Sequence, residues 1–207
     1  MPLFFVTPAT MDHPSSNTAD LDHARSGDRA ALGRLLKTHE RRVFNVCLRM
    51  VNHADDAAEL TQDTLVKVVQ NIDGFRGDSQ FTTWLTRIAM NLAISHLRKR
   101  KLRHTTSLDT AGTPALKLAG GLSQTLPQTR EPDAYSRVEQ NDDLRQLYQA
   151  LAELDTDQRA VIVLRDIDQM DYQNIAETLE VPVGTVKSRL FRARLALRQR
   201  LKPAVTH

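Results

Sequence analysis

Arginine and lysine side chains are concentrated in two stretches of the sequence that contain no aspartate or glutamate. The first lies between Asp78 and Asp109, and the second runs from Val181 to the C-terminus. Their basic residues are Arg87, Arg98, Lys99, Arg100, Lys101 and Arg103 in the first, and Lys187, Arg189, Arg192, Arg194, Arg198, Arg200 and Lys202 in the second. The net charge is only +3, so the clustering, not the total, predicts a polyanion bound at two places. Two solvated helix faces are the alternative.

The C-terminal basic stretch has the pattern of a helix-turn-helix. A helix is predicted to begin near Asp171, a good N-cap, and Pro182 in EVPVG must interrupt it before a second, basic helix. We expect Val186, Leu190, Phe191, Leu195 and Leu197 to hold that second helix on the core. Its exposed N-terminal half would then present Thr185, Lys187, Ser188, Arg189 and Arg192 to base edges and phosphates. An ordinary surface helix is the alternative.

The N-terminal basic stretch continues a polar helix face. Thr83, Arg87, Asn91, Ser95 and Arg98 follow at steps of four and three, which places them on one side of a helix. Such a face suits a phosphodiester backbone. Phe75 and Trp84 could stack on unpaired bases, although core packing is the stronger interpretation of each aromatic residue taken alone.

The segment just before it, from Asp55 to Phe75, is amphipathic with a mostly acidic outer side. We expect Leu60, Leu65, Val66, Val69 and Ile72 to face the core. The outer side would carry Asp56, Glu59, Gln62, Asp63 and Lys67. Because acidic groups repel DNA, this side predicts either a protein partner or a purely solubilising surface, and the residues alone leave both open.

The organisation along the 207 residues is all-α, with two small helical domains joined by a flexible linker. Composition predicts a disordered tail over 1–20, a helical domain over 21–103, a linker over 104–132 and a helix-turn-helix domain over 133–207. The single cysteine, Cys47, is predicted to be a buried apolar residue. No nucleophile–base pair, cofactor loop or metal-ligand cluster is evident, so neither catalysis nor a cofactor nor a metal is predicted. The N-terminal apolar run is too short for a signal peptide, which favours a cytoplasmic protein without membrane insertion.

These motifs together resemble a known family. The stretch from Asp56 to Asn91, with ELTQDTLVKV and GFRGDSQFTTWLTRIAMN, resembles region 2 of the extracytoplasmic-function sigma factors, which form group 4 of the sigma-70 family. DYQNIAETLEVPVGTVKSRLFRARLALRQRL resembles their region 4. The resemblance leaves out only the N-terminal tail and the linker.

The resemblance implies a function and a set of sites. Such proteins bind core RNA polymerase and direct it to promoter DNA, and an anti-sigma factor often holds them inactive. The core polymerase would contact Asp56, Glu59, Gln62 and Asp63. The −10 element would be bound by Phe75, Arg76, Ser79, Trp84, Arg87, Asn91 and Arg98. The −35 element would be bound by Thr185, Lys187, Ser188, Arg189 and Arg192. The competing hypothesis is a stand-alone helix-turn-helix regulator, which would need its own dimer interface.

Overall fold

The computed structural model describes residues 14–77, 79–109 and 142–201, and every regular element in these ranges is helical. The predicted linker beyond Asp109 and residues 133–141 of the predicted helix-turn-helix domain lie outside the described residues. The helices are α1 (Pro14–Arg25), α2 (Arg29–Val51), α3 (Ala54–Asn71), α4 (Phe81–Asp109), α5 (Asp142–Ala152), α6 (Thr156–Ile162), α7 (Tyr172–Leu179) and α8 (Val183–Arg200). We call α1–α4 the N-lobe and α5–α8 the C-lobe. The predicted all-α fold class is confirmed.

The N-lobe packs α3 and α4 against α2, the long central helix. Asp28 caps α2, because its Oδ1 accepts hydrogen bonds from the backbone N–H of Ala30 and of Ala31 at 2.8 and 3.1 Å. Asn52 ends α2 in the left-handed conformation, with φ of 54°. The core between these helices is formed mainly by aliphatic side chains, among them Leu35, Val43, Val46, Met50, Val68, Leu85 and Met90.

Two helix ends differ from the sequence-based boundaries. α1 begins at Pro14, inside the predicted disordered tail. It is held by packing of Leu21 and Ala24 on the core and by the ion pair between Asp20 and Arg34, 2.6 Å long. α4 continues to Asp109, past the predicted domain end at Arg103. The residues after Arg103 include no proline or glycine before Asp109, so nothing in the local chain forces the helix to stop.

The C-lobe follows the predicted pattern of capped short helices. Asp155 accepts a hydrogen bond from the N–H of Gln158 at 2.9 Å, and Asp171 accepts one from the N–H of Asn174 at 2.8 Å. The N-cap predicted at Asp171 is therefore confirmed, and Asp155 caps α6 in the same way. Side chains from all parts of the lobe form its core, namely Leu151, Leu154, Val161, Leu164, Ile175, Val186 and Leu190.

A π-helical turn, Val163–Ile167, lies between α6 and α7. The N–H of Asp168 donates to the carbonyl of Val163 at 2.9 Å, and Gln169 follows in the left-handed conformation with φ of 57°. Such turns widen a helix by one residue and occur often at functional positions. Here the turn directs the side chain of Asp168 toward the N-lobe.

The two lobes pack against each other along α2 and α4. Their apolar cores join into one cluster, in which Tyr148 of α5 and Met50 of α2 both take part. Arg159 of α6 is buried and donates hydrogen bonds to three main-chain carbonyls, those of Met50 in the N-lobe and of Ala152 and Leu154 in the C-lobe. The chain therefore forms a continuous body across the lobe boundary.

Candidate nucleic-acid and protein interfaces

The N-terminal half of α8 presents an exposed cationic surface, as the sequence predicts. Glu180 ends α7 in the left-handed conformation, and Pro182 stands at the N-terminus of α8, so the two helices form a helix-turn-helix. Lys187, Ser188 and Arg192 are exposed and Thr185 is half-buried. With the buried Val186 and Leu190 behind them, these side chains project from one ridge of the lobe. This is the arrangement that a recognition helix needs to enter a major groove.

Local contacts orient two of these side chains. The hydroxyl of Ser188 donates to the carbonyl of Thr185 at 3.0 Å. The ammonium group of Lys187 lies 5.8 Å from the ring centroid of Tyr172 on α7. Arg189, the least exposed cation of the set, forms an ion pair with Asp157 of α6 at 3.0 Å. Arg189 is therefore neutralised within the protein, whereas Lys187 and Arg192 face solvent.

Phe191 and Leu195 are not core residues, contrary to the sequence-based expectation. Their exposed fractions are 71% and 48%. The buried stripe of α8 runs through Val186, Leu190 and Ala193, at steps of four and three residues. Phe191 lies one residue, about 100° of helix rotation, beyond Leu190, and this turns its ring to solvent beside Arg192. Counting the stripe residue by residue would have shown this from the sequence.

The polar face of α4 is turned toward the C-lobe. Arg87 donates to Glu177 of α7 at 2.8 Å, and Arg98 lies 3.7 Å from Asp157 of α6. Asn91 and Ser95 are exposed between them and line a narrow cleft of about 200 Å³ together with Glu180 and other residues of the C-lobe. The predicted side chains do share one face, and that face looks onto the helix-turn-helix.

The loop before α4 carries an aromatic cluster. Phe75 packs edge-on against Phe81, with ring centroids 5.7 Å apart, and Trp84 lies 5.3 Å from Phe75. Phe75 is only 4% exposed, so its predicted role as a stacking platform for bases is not met in this arrangement, because both of its faces are covered. Trp84 is partly exposed, Arg76 is exposed and Ser79 is half-buried. Gly77 has φ of 83°, which only glycine adopts freely, and it turns the loop at this point.

α3 presents a face that is both acidic and apolar. Glu59, Gln62 and Asp63 are exposed, as predicted. Val66 and Val69, expected in the core, are instead 53% and 49% exposed. The buried side of α3 runs through Ala57, Leu60, Thr64 and Val68, with the hydroxyl of Thr64 donating to the carbonyl of Leu60 at 2.6 Å. This hydrogen bond within the helix lets the Thr64 hydroxyl be buried without an unpaired donor. Thr64 therefore lies on the core side of α3, where the valines were expected.

Asp56 does not join the free acidic residues of that face. Its carboxylate lies 3.4 Å from Nε2 of His96 and 3.6 Å from Arg100, both on α4, and 3.8 Å from His53. No role was predicted for His96, because its contact with Asp56 depends on the packing of α3 against α4. Asp56 therefore links two helices of the N-lobe, while Glu59, Gln62 and Asp63 remain available to a partner.

Cys47 is fully buried, as predicted. Burial raises the pKa of its thiol to about 12, so the reactive thiolate is scarce at neutral pH. Among the described residues no group of three or more histidine, cysteine, aspartate or glutamate side chains is placed to hold a metal ion. None of the described helices is long and apolar enough to cross a membrane.

Comparison with protein families matches both lobes. Residues 35–103 match the family model of sigma-70 region 2, and residues 144–197 match that of sigma-70 region 4. The first match ends at Arg103, within α4, and covers α3 and the aromatic loop. The second covers α7 and all of α8 except its last three residues.

Similar proteins carry the same two regions along most of their length. The chain is 32% identical over 184 residues to the ECF RNA polymerase sigma factor SigW of Bacillus subtilis, covering 88% of this chain and 95% of the relative. It is also 32% identical over 187 residues to the ECF RNA polymerase sigma-E factor of Escherichia coli, covering 89% and 94%. The RNA polymerase sigma-H factor of Pseudomonas aeruginosa is 32% identical over 184 residues, covering 88% and 92%.

Two solved structures share the fold. One is CnrH in complex with the cytosolic domain of CnrY, with a TM-score of 0.60 and 25% identity, covering 89% of this chain and 96% of CnrH. The other is the sigma factor RpoE of Bartonella quintana in complex with the anti-sigma factor NepR, with a TM-score of 0.61 and 27% identity, covering 83% and 97%.

Proposed function

The chain belongs to the extracytoplasmic-function sigma factors of the sigma-70 family, and from this premise we propose how its surfaces divide the work of promoter recognition. As a sigma factor it acts with core RNA polymerase and directs the enzyme to promoters. The polymerase performs the chemistry of transcription. We place its action in the cytoplasm, where the polymerase and the chromosome are.

α8 is assigned to the −35 element as duplex DNA. The observation that carries this proposal is the exposed cationic N-terminal half of α8, the second helix of the helix-turn-helix. Arg192 can pair bidentately with guanine, and Lys187, Ser188 and Thr185 suit phosphates and base edges. Arg189 joins them once its pair with Asp157 is released. Phe191 adds an apolar contact of the kind that recognises a thymine methyl group.

α4 and the loop before it are assigned to the −10 element. Trp84, partly exposed, supplies an aromatic face for an unpaired base of the opened strand. Arg76 and Ser79 in the loop, and Arg87, Asn91 and Arg98 on α4, supply donors for phosphates and bases. Phe75 is proposed to act indirectly, because its buried ring supports Trp84 and Phe81.

α3 is assigned to the core polymerase. Its exposed face combines Glu59, Gln62 and Asp63 with the apolar Val66 and Val69. An acidic face repels DNA, and exposed valines gain free energy only when a partner covers them, so the combination suits a protein surface. Asp56 is proposed to orient α3 against α4 through His96 and Arg100.

An anti-sigma factor is the proposed regulatory partner. The solved structure of RpoE holds that sigma factor together with the anti-sigma factor NepR, and CnrH was solved in complex with the cytosolic domain of CnrY. A stable one-to-one complex between this chain and the product of a neighbouring gene would support this assignment. Free, fully active protein in unstressed cells would contradict it.

Transcription in vitro tests the function directly. Purified core polymerase is incubated with fragmented genomic DNA, with and without this protein, and the 5′ ends of the RNA are sequenced. We expect new, discrete start sites that share two upstream motifs. No new starts, combined with tight DNA binding in the absence of polymerase, would instead support a stand-alone helix-turn-helix regulator.

Matched variants of α8 test the assignment of the −35 element. Lys187→Ala combined with Arg192→Ala removes two exposed cations from the N-terminal half of the helix. We expect loss of most starts, by about tenfold or more. Arg198→Ala, an equally exposed cation near the C-terminal end of α8, is the control and is expected to retain them. Equal losses in both variants would indicate nonspecific charge attraction rather than −35 recognition.

A further inference from the structure

The ring of Tyr172 lies between the two helices of the helix-turn-helix and contacts two cations. Tyr172 is the first residue of α7, and its half-buried ring packs against the C-lobe core. The guanidinium of Arg165 lies 4.8 Å from the ring centroid, and the ammonium of Lys187, on α8, lies 5.8 Å from it. Both distances are within the range of about 6 Å in which an aromatic ring attracts a cation. Tyr172 therefore contacts a lysine that is assigned to the −35 element.

The position of the Tyr172 ring is fixed by its backbone and by its second cationic neighbour. Asp171, directly before it, caps the first turn of α7 and so fixes the backbone of that turn. Arg165 donates to the carbonyl of Met170 at 2.8 Å, which holds its guanidinium beside the ring. Tyr172 thus offers a rigid surface, and Lys187 is the flexible member of the contact.

The cations of α8 fall into two groups according to what holds them. Three arginines form ion pairs with carboxylates of the C-lobe, namely Arg189 with Asp157, Arg194 with Asp166 and Arg200 with Glu153. Lys187 and Arg192 are held by neutral groups, since Lys187 lies over the Tyr172 ring and Arg192 donates to the carbonyl of Ser188 at 3.4 Å. A carboxylate orients a cation and also neutralises it, whereas a ring or a carbonyl orients the cation and leaves its charge available to a phosphate. The two cations with neutral holders are the two exposed cations assigned to the −35 element.

Holding the ammonium of Lys187 in place favours DNA binding through conformational entropy. A lysine has a flexible four-carbon stem and loses rotamer freedom when its ammonium binds a phosphate. Contact with the ring confines the side chain before DNA arrives, so less entropy is lost on binding. The ammonium carries three N–H donors, so it can face the ring and still donate to a phosphate on its outer side. A contact of this kind at an exposed site corresponds to about a two- to fivefold change in affinity.

We propose that Tyr172 is a positioning residue for −35 recognition, whose ring holds the ammonium of Lys187, with its charge intact, where the phosphates of the duplex pass. This inference rests on the proposed function, because that function assigns Lys187 to the −35 element. The ring performs this role and the hydroxyl does not. A phenylalanine at this position therefore retains the role, and an aliphatic residue loses it.

The first test detects the contact in the free protein, without polymerase or DNA. The full-length protein is prepared with 13C-labelled lysine, and the ε-methylene signals are recorded by NMR spectroscopy. The signal of Lys187, assigned through Lys187→Arg, is expected to move downfield in Tyr172→Leu, because the shielding by the ring current is lost, and to stay in place in Tyr172→Phe. The signal of Lys37, an exposed lysine of α2, is the control and is expected to stay in both variants. A Lys187 signal that Tyr172→Leu leaves unchanged would overturn the proposal.

The second test measures promoter binding by the holoenzyme formed with core polymerase. The DNA carries a promoter found by sequencing the RNA 5′ ends, with its −35 element intact. Tyr172→Leu, which keeps an apolar side chain against the core, is expected to weaken the complex about two- to fivefold, and Tyr172→Phe is expected to bind like the wild-type protein. Equal losses in the two variants would mean that the hydroxyl contacts DNA directly, and no loss in either would mean that the ring has no role. Each of these results would overturn the proposal.

A double-mutant cycle separates positioning of Lys187 from a general effect on the fold. In a Lys187→Ala background, Tyr172→Leu is expected to have no further effect on promoter binding, because the side chain through which it acts is gone. In an Arg192→Ala background, the matched control, its two- to fivefold effect is expected to remain, since Arg192 is held by Ser188 and not by the ring. Losses of the same size in both backgrounds would show that the change acts through the fold of the lobe, and would overturn the proposal.

The failure of this proposal can be told apart from the failure of the proposed function. A wild-type protein that supports no polymerase-dependent transcription would overturn the proposed function, while the NMR measurement would still decide whether Tyr172 holds Lys187. Urea unfolding checks the stability of each variant. If Tyr172→Leu lowers the midpoint of unfolding, Tyr172→Met, which fills the same space with a more adaptable side chain, takes its place in every comparison.

Discussion

One step around the helix separates a core leucine from a solvent-facing phenylalanine in α8. Leu190 is buried and Phe191 is the most exposed large apolar residue among those described. Its ring contributes little to the core and stands beside Arg192, where DNA bound to this cation would cover it. Its position therefore argues for contact with DNA at the level of a single side chain.

Phe191→Ala is expected to separate binding from stability. Because the ring is mostly exposed, its removal should change the free energy of unfolding by no more than about 0.5 kcal/mol. Transcription from promoters with an intact −35 element should fall about fivefold, the size of one lost apolar contact. Urea unfolding and the transcription assay measure the two effects.

Leu190→Ala is the contrasting variant for that measurement. It creates a cavity in the core and is expected to cost about 2–5 kcal/mol of stability. If Phe191→Ala destabilised the protein as strongly as Leu190→Ala does, the ring would belong to the core and its assignment to DNA would be wrong.

Asp171, the N-cap of α7, is expected to make the stability of the protein depend on pH. The hydrogen bond from the N–H of Asn174 holds the pKa of its carboxyl below the usual value of 3.8. A lowered pKa stabilises the folded protein above the unfolded pKa, and this contribution is lost as the pH falls through the folded pKa. We expect the stability advantage over Asp171→Asn, a cap that does not titrate, to shrink as the pH falls from about 5 to 3.

Urea unfolding of both proteins across that range measures the difference. Asp171→Ala, which removes the cap altogether, is expected to cost about 1 kcal/mol at pH 7. A difference between the wild-type protein and Asp171→Asn that did not vary with pH would show that the carboxylate charge adds nothing to the cap.

The role of a single residue could be predicted from the sequence where its hydrogen-bond partners are near it along the chain. The caps Asp155 and Asp171 were predictable because each acts on a backbone N–H three residues away. Arg159 was not, because one of its partners is a main-chain carbonyl 109 residues distant. Every residue has a main-chain carbonyl, so the residue types of the partner helix do not indicate which carbonyl accepts the hydrogen bond.

At the scale of elements, the face of α3 shows how a correct helix can be given a wrong orientation. The helix itself and its acidic residues were predicted, but Val66 and Val69 were placed inside because valine is usually buried. Val69 follows Val68 by one residue and Val66 follows Thr64 by two, which turns both valines away from the stripe through Ala57, Leu60, Thr64 and Val68. The error hid the apolar part of the surface assigned to the polymerase.

Truncation of the two valines is expected to weaken core polymerase binding without weakening the fold. Val66→Ala combined with Val69→Ala shortens two side chains that are each about half exposed. The affinity for core polymerase should therefore fall about tenfold, while the midpoint of unfolding stays within error. A competition assay with labelled wild-type protein measures the affinity. Leu195→Ala, which removes a comparably exposed side chain from the C-lobe, is the control. An unchanged affinity in the double variant would remove α3 from the interface.

Helix ends were less predictable than helix positions, for reasons that differ at the two ends of the N-lobe. α1 has a polar, weakly patterned sequence and gains its order from the packing of Leu21 and Ala24 and from Arg34 of α2. α4 runs past Arg103 because no residue there breaks a helix. The start of α1 depends on tertiary contacts, and the end of α4 on the absence of a helix-breaking residue. Composition alone predicted neither boundary.

At the scale of the whole molecule, the sequence predicted two lobes but not their contact. The hydrogen bonds that join them link residues 82, 90, 109 and 126 positions apart along the chain. Each lobe also has its own helical pattern, so nothing in the periodicity of one indicates that it buries part of the other. The family resemblance favoured separate domains on a tether, whereas the described residues share one apolar core.

Arg159→Ala tests whether that shared core makes the protein unfold as one unit. The change leaves carbonyls of both lobes without their donor, and we expect a loss of about 3 kcal/mol in the free energy of unfolding. Because Arg159 bonds to Met50 of the N-lobe and to Leu154 of the C-lobe, the variant should also unfold in two steps instead of one. Scanning calorimetry measures both effects through the ratio of the calorimetric to the van't Hoff enthalpy.

The matched control for this measurement is Arg194→Ala. Arg194 pairs with Asp166 on the surface of the C-lobe, and its removal is expected to cost at most about 1 kcal/mol and to keep a single transition. Two transitions already present in the wild-type protein would mean that the lobes fold independently and meet only weakly. A single transition in Arg159→Ala would mean that the apolar contacts around Tyr148 and Met50 couple the lobes without the buried guanidinium.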